Sequence, residues 1–452
     1  MLLINGKVVR EEGVEKLDVR ICEDKIAEVG LKLRPAPDEE VIDIEGKLLF
    51  PGLIDSHTHF QLEARGALAI DDFFHGSISA AYGGITTFID YADLELDSVL
   101  AGLRKRQAQA EAKTISDYNL HLVINNDFKA EKHLAEIYQL AEAGISSLKI
   151  FTTYEDIYML GKEKLASLFQ AAAETGLVIT VHSEDNQIIK DREKEHLEKG
   201  RMGIRYHPDI RPAVAEKKAV EKMAELSREY GATLYIVHLS SKLGLKAAAE
   251  AKEAGTKIYL ETAPHYLMLT RDKLNSPQAS LNFMTPPLRE EEDNQVLWQA
   301  ISDGLIDVVA TDHCAFTPQQ KALGCDSRDI LPGIPGVETM LPLLYTYGVD
   351  KGRISLERLV ELLAGNPARI FGLYPEKGSI KEGTDADLVV YDPDEEWVLD
   401  GNKLHSLSGY TPFAGMKVKG RVEYTIIRGE KIITEGEFIG NKGYGSFVPA
   451  EV

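Results

Sequence analysis

Residues 144–182 read GISSLKIFTTYEDIYMLGKEKLASLFQAAAETGLVITVH. A short apolar run, Ser147–Thr153, is followed by Lys162–Glu174, whose apolar residues recur with the period of a helix face. That pattern stops just before Gly176, the residue type that best tolerates the left-handed turn closing a helix. A second apolar run, Val178–His182, follows directly. Strand, helix and strand of these lengths make a parallel βαβ unit. Two polar residues interrupt it: Lys149 inside the first strand and His182 at the end of the second.

Outward from this unit the same rhythm repeats. Further strand candidates are Leu48–Asp55, Ile85–Tyr91, Leu120–Asn125, Leu234–Leu239, Ile258–Thr262 and Asp307–Thr311, which brings the count to eight. Helical runs lie at Glu131–Ala143, Val214–Tyr230 and Gly244–Ala254, with Gly144, Gly231 and Gly255 ahead of the strands that follow. Gly83-Gly84 reads as another helix-end turn. An open doubly wound sheet shares this local pattern, but eight units favour closure, so residues 51–375 are expected to form a (β/α)8 TIM barrel. The chain ends differ. LLINGKVV, KLDVRICEDKIAEVG and EEVIDIEGKLLF near the start, and DADLVVYDPDEEWVL and VEYTIIRGEKIITEGEF near the end, alternate in the manner of half-buried strands. Residues 1–50 and 376–452 are expected to pair into one small β-sandwich domain. The C-terminal YGSFVPAEV is a candidate for exchange with a neighbouring subunit.

The 452 residues carry 51 basic and 72 acidic side chains, a net charge of −21. That balance argues against nucleic acid and anionic membranes as partners. Cys22, Cys314 and Cys325 form no disulfide framework, and a reducing compartment fits them. With no apolar run of about 20 residues and no leader-like start, a cytoplasmic protein is expected.

Chemistry concentrates where strands end. In Asp55-Ser56-His57-Thr58-His59, the two histidines lie two residues apart on one strand face and can address one centre. Either imidazole pair of this kind is a chelate for zinc or a similar ion, or two unrelated surface histidines. Recurrence decides between them. His182, His238 and Asp312 each follow an apolar strand at the face where barrels build active sites. Lys149 is either salt-bridged to a nearby acid or held neutral by burial. A neutral amine there can add carbon dioxide and become a carbamate, a carboxylate-like metal ligand.

These residues, with GLIDSHTHF, VHSEDN, VHLSS, ETAPHYL, TPPLR, TDHCAF, GIPGVET, NPARIFGL and KGSIKEGTDADLVVYD, resemble the amidohydrolase superfamily over nearly the whole chain. The nearest branch is that of the hydantoinases and dihydropyrimidinases, related to dihydroorotases and allantoinases. The resemblance implies two divalent metal ions per subunit, Zn²⁺ by default, with N-carboxylated Lys149 bridging them. It assigns His57, His59 and Asp312 to one ion and His182 and His238 to the other. It implies attack of a metal-bridging hydroxide on a cyclic amide, with Asp312 moving the proton and Tyr154 donating to the oxyanion.

Substrate contacts implied by the resemblance are Tyr154, Thr285, Gly333 and Gln61. Dihydroorotases carry an Arg two residues beyond the second histidine. Gln61 stands there, which disfavours an acidic ring unless Arg65 substitutes. Tyr154, which allantoinases tend to lack, favours a hydantoin or dihydropyrimidine ring. Thr285 replaces a usual Ser, with backbone groups doing the binding. Pro332, lacking an N–H, replaces a usual Asn, so Gly333 is expected to supply the imide clamp. His265 is expected near the centre, His121 as a core histidine and Cys314 as a packing residue. The alternatives are an allantoinase- or dihydroorotase-like amidase, or a non-catalytic scaffold. Homotetramers or dimers are the family's assemblies.

Overall fold

The computed structural model describes residues 1–95, 98–324 and 326–452, so Cys325 lies outside the described residues. Eight parallel strands follow one another around the centre: β1 Leu53–Asp55, β2 Ile85–Asp93, β3 Asp117–Val123, β4 Ser147–Phe151, β5 Val178–His182, β6 Thr233–Ile236, β7 Ile258–Thr262 and β8 Val308–Val309. Each pairs in parallel with the next. Between β8 and β1 the ring closes through Thr58 and His313, where His59 N–H donates to the His313 carbonyl at 2.8 Å. The Asp55 carboxylate completes the seam by accepting the Thr311 N–H at 3.1 Å. The molecule is thus a (β/α)8 barrel with helices outside.

The local rules of the opening βαβ unit hold. The helix Lys162–Thr175 buries Leu165, Leu168, Phe169 and Ala172, one face of a helical surface. Gly176 ends it at φ +80°, and Gly231 ends Ala213–Tyr230 at φ +77°. Gly83 caps Phe73–Tyr82, as its turn reading requires. Two sequence expectations change. Leu48–Asp55 is two elements, because Leu48–Pro51 pairs with Leu388–Val398 in another sheet and only Leu53–Asp55 joins the barrel. The helix expected over Glu131–Ala143 is Ala130–Ile137; beyond it the backbone tightens into turns, with Leu140 N–H donating to Ile137 and Gly144 N–H to Ala141.

The chain ends build the second layer. A four-stranded sheet contains Lys25–Gly30, Asp18–Cys22, Leu2–Ile4 and Val41–Asp43, in that order. A seven-stranded sheet joins the N-terminal strands Gly13–Lys16, Lys7–Arg10 and Leu48–Pro51, in that order, to Leu388–Val398, Lys417–Ile427, Glu430–Thr434 and Glu437–Phe438. Leu3, Val19, Ile26, Leu49, Leu388 and Ile426 form a shared apolar core. The YGSFVPAEV tail lies on its own barrel: Tyr118 N–H donates to Ser446 and Val448 N–H to Tyr118. No helix among the described residues is long and apolar enough to cross a membrane.

Candidate metal centre

The barrel strands deliver the expected side chains to one end. His57 and His59 follow β1, His182 ends β5, His238 follows β6 and Asp312 follows β8, while Lys149 sits within β4. His57 Nε2 and His59 Nε2 lie 3.2 and 3.1 Å from the same Asp312 oxygen. These three groups form a cluster able to hold a cation. On the other side His182 Nδ1 and His238 Nε2 lie 3.0 Å apart. Two ligands on one tetrahedral zinc, at about 2.0 Å from the metal, would be separated by roughly 3.3 Å. The His57 and His238 rings, 5.4 Å between centroids, put the two groups side by side.

Carboxylates behind the histidines set which nitrogen faces inward. His57 Nδ1 is 2.7 Å from Glu261, and His182 Nε2 is 2.8 Å from Glu184. A ring N–H donated to a carboxylate leaves the opposite nitrogen as a lone-pair donor. Glu184 is in turn held by Arg211 at 2.6 Å. Glu261 also accepts from Tyr235 Oη and from the His238 N–H, both at 2.9 Å. Sequence reading missed Glu261, Glu184 and Arg211; the only signals were acids within or just after apolar strands, in ETAPHYL and VHSED.

The electrostatics suit a cation. Burial pushes His57, His182 and His238 below the ordinary imidazole value, which keeps them neutral. Burial would raise Asp312, yet the His57 and His59 imidazoles hold it well below the usual carboxylate range. Lys149 is 2% exposed and has no ion pair among the described residues. Burial lowers its amine to about 8 against the pull of Glu261 and Asp312. Among the described residues no salt bridge holds Lys149. Its Nζ lies over the faces of Tyr91 and Phe151, 5.2 Å from each ring centroid. Tyr91, also missed in sequence, stacks on His59 at 4.7 Å and leaves its buried hydroxyl without a partner. Buried His59 Nδ1 and His238 Nδ1 likewise lack partners. Imidazole nitrogens, one carboxylate and a neutral-leaning amine form a donor set that fits borderline divalent ions.

His238 and Asp312 hold left-handed backbones, φ +40° and +51°, as does Tyr154 at φ +62°. Such a conformation costs a non-glycine residue about 1–2 kcal/mol and recurs at functional sites. Tyr154 tilts over His182, 5.6 Å between ring centroids, and Thr285, whose hydroxyl lies 3.3 Å from His207 Nε2, stands near it. Tyr154 and Thr285 both line a cavity of about 330 Å³. A larger cavity of about 530 Å³, between Tyr82 and Trp397, contains none of these residues.

The other expected contacts lie differently. The Gln61 side-chain oxygen accepts from Lys113 at 2.7 Å, beside Asp72. Gly333 offers no free donor, because its N–H is bound to the Phe283 carbonyl at 3.0 Å. Lys321 ties this corner together, donating to the carbonyls of Phe283, Leu331 and Gly333. His121 is a core histidine, with Nε2 donating to the Ser56 carbonyl at 2.9 Å. His265 is buried near Asp312 and His57 with Nε2 unpartnered, and burial lowers it to about 4. Cys314 is buried, which raises its thiol.

Residues 48–432 match the model of the amidohydrolase family. The chain belongs to that family. It stands on the hydantoinase and dihydropyrimidinase branch of the amidohydrolases. It is 37% identical to D-phenylhydantoinase of Escherichia coli O1:K1 / APEC, covering 99% of this chain and 97% of that protein. D-hydantoinase (dihydropyrimidinase) from Thermus sp. superposes with TM-score 0.96 at 34% identity, covering 100% of this chain and 99% of the other. L-hydantoinase (dihydropyrimidinase) from Arthrobacter aurescens gives 0.91 at 30% identity, with 99% of each chain covered.

Proposed function

We propose that this amidohydrolase opens the ring of a cyclic amide of the hydantoin or dihydropyrimidine class with the help of two divalent metal ions. One observation carries the reading: His57, His59 and Asp312 meet the His182–His238 pair beside a buried Lys149 that forms no salt bridge among the described residues. The hydantoinase names of similar proteins support the ring class. His57, His59 and Asp312 would hold one ion and His182 and His238 the other, with zinc well suited to both. Lys149 would serve both as a carbamate. Its ammonium first gives up a proton, and the neutral amine then adds to carbon dioxide and loses a second, so a cationic position becomes an anionic ligand. When bound, the ions supply Lewis acidity and lower the pKa of water to about 7.

The remaining work falls to the chain. Asp312, kept ionised by its histidines, takes the proton of the attacking water and delivers it to the ring nitrogen as the C–N bond breaks. Burial raises the Tyr154 phenol, so it stays protonated and donates to the oxygen of the attacked carbonyl. Thr285, which lines the same cavity as Tyr154, borders the ring. Gln61 and Gly333, engaged elsewhere, drop behind them as substrate contacts. A cytoplasmic homodimer or homotetramer acting on a small molecule completes the reading.

The test is hydrolysis of hydantoin, an aryl hydantoin, dihydrouracil, allantoin and dihydroorotate by metal-analysed protein, beside Lys149→Ala. Turnover of hydantoin or dihydrouracil that the substitution abolishes is the expected result. Metal-loaded protein that opens none of these rings overturns the ring assignment. Protein with neither metal nor turnover is a scaffold.

A further inference from the structure

The cavity beside Tyr154 carries four cationic side chains, Arg65, Lys190, Arg211 and Arg328. Three are neutralised. Lys190 pairs with Glu155 at 2.5 Å, Arg211 with Glu184 at 2.6 Å and Arg328 with Asp326 at 2.8 Å. Glu193 lies 3.8 Å from Arg328, and the charge of Asp156 acts on Lys190. Arg65 has no carboxylate partner among the described residues.

Arg65 is nevertheless held. Its Nη1 donates to the carbonyls of Arg328 at 2.5 Å and Ile330 at 2.6 Å, and its backbone is left-handed at φ +49°. These contacts leave Nε and Nη2 without hydrogen bonds among the described residues. That edge can receive a carboxylate with two parallel bonds. Fixing a free arginine side chain costs about 2 kcal/mol of entropy, and here the loop has already fixed it. The loop that anchors Arg65 runs on to Pro332, which has no N–H, and to Gly333, whose N–H is spent on Phe283. Arg65 is the charged donor this corner presents to the cavity of Tyr154 and Thr285.

We propose that Arg65 is a specificity-determining residue that receives a carboxylate carried on the side chain of the ring substrate. The assignment rests on the ring-opening reading above and narrows its substrate to cyclic amides with an acidic substituent. The test compares a hydantoin bearing a carboxyethyl group with its carbamoylethyl isostere, in the metal-loaded wild-type enzyme, Arg65→Gln and Arg65→Lys. The expected wild-type kcat/KM favours the acid at least tenfold, and raised ionic strength shrinks that ratio. In Arg65→Gln the ratio falls to near one, and Arg65→Lys keeps part of it. Equal ratios in wild type and Arg65→Gln, or a wild-type preference for the amide, overturn the proposal. If the wild type opens neither ring, the same pair is titrated into wild type and Arg65→Gln. Tighter binding of the acid, lost in Arg65→Gln, upholds Arg65 and leaves the ring-opening reading to the five-ring panel. Equal binding of acid and amide overturns the Arg65 proposal alone.

Discussion

His57 is engaged at both ring nitrogens, with Nδ1 on Glu261 and Nε2 towards Asp312. The inward half of that arrangement was legible, because His182, His238 and Asp312 recur after apolar strands at the same face as His57 and His59. The outward half was not. Glu261 lies 204 residues from His57, and a single acid in an apolar strand carries no sign of the histidine it will meet. Tyr91 was hidden in the same way, since an aromatic at a strand end usually packs. Sequence likewise does not reveal that the Phe283 carbonyl takes the Gly333 N–H. Glu261 is expected to act through His57 and His238 by fixing ring orientation. Glu261→Gln should therefore weaken metal binding by about 10- to 100-fold, read by competition with a chromophoric chelator. Unchanged affinity in a folded variant would mean that the carboxylate does not orient the centre.

At the scale of elements, glycines and apolar runs located all eight barrel strands, and Gly176 and Gly231 close their helices with left-handed backbones. What alternation could not show was the passage from one sheet to another inside the continuous apolar run Leu48–Asp55. The break falls at Gly52, whose N–H donates to Asp387 at 2.7 Å. A Cβ on Gly52 would lie 2.1 Å from Thr86 Oγ1 and 2.7 Å from Asp387 Cβ. Barrel and β-layer thus approach within backbone contact, directly ahead of the strand that presents His57 and His59. Gly52→Ala should cost about 1–3 kcal/mol through overpacking, seen as a lower denaturant midpoint. An unchanged midpoint would show that Thr86 and Asp387 can yield.

Across the whole molecule, the pairing of the two chain ends was legible in their shared alternation, but the tie between them and the barrel was not. Lys377, in the turn-like EKGS stretch, looks like a surface residue. It is 1% exposed and its ammonium meets Asp117 at 2.6 Å and Asp385 and Asp387 at 2.8 Å. Asp117 opens β3, whereas Asp385 and Asp387 lead into the β-layer, and Arg428 adds a bond to Asp117 at 3.0 Å. Burial opposes the charge on Lys377, but the three carboxylates raise it above the ordinary lysine value. Its contribution is complete below about pH 10.4 and is lost as pH rises past that value. Burial would raise Asp385, yet Lys377 and Lys25 hold it low, so its share is present above about pH 3.9 and disappears on further acidification. Asp387, raised by burial against the pull of Lys377, has the reverse dependence and loses stability as pH rises. Removing the cation in Lys377→Met leaves Arg428 on Asp117 and Lys25 on Asp385, and Asp387 without a cation among the described residues, at a cost of about 3–5 kcal/mol. Those carboxylates then favour their protonated forms. The deficit should accordingly be smaller at pH 5 than at pH 8, measured as the difference in urea midpoint between variant and wild type. Parallel midpoints across that range would mean that Lys377 contributes packing rather than charge to the junction.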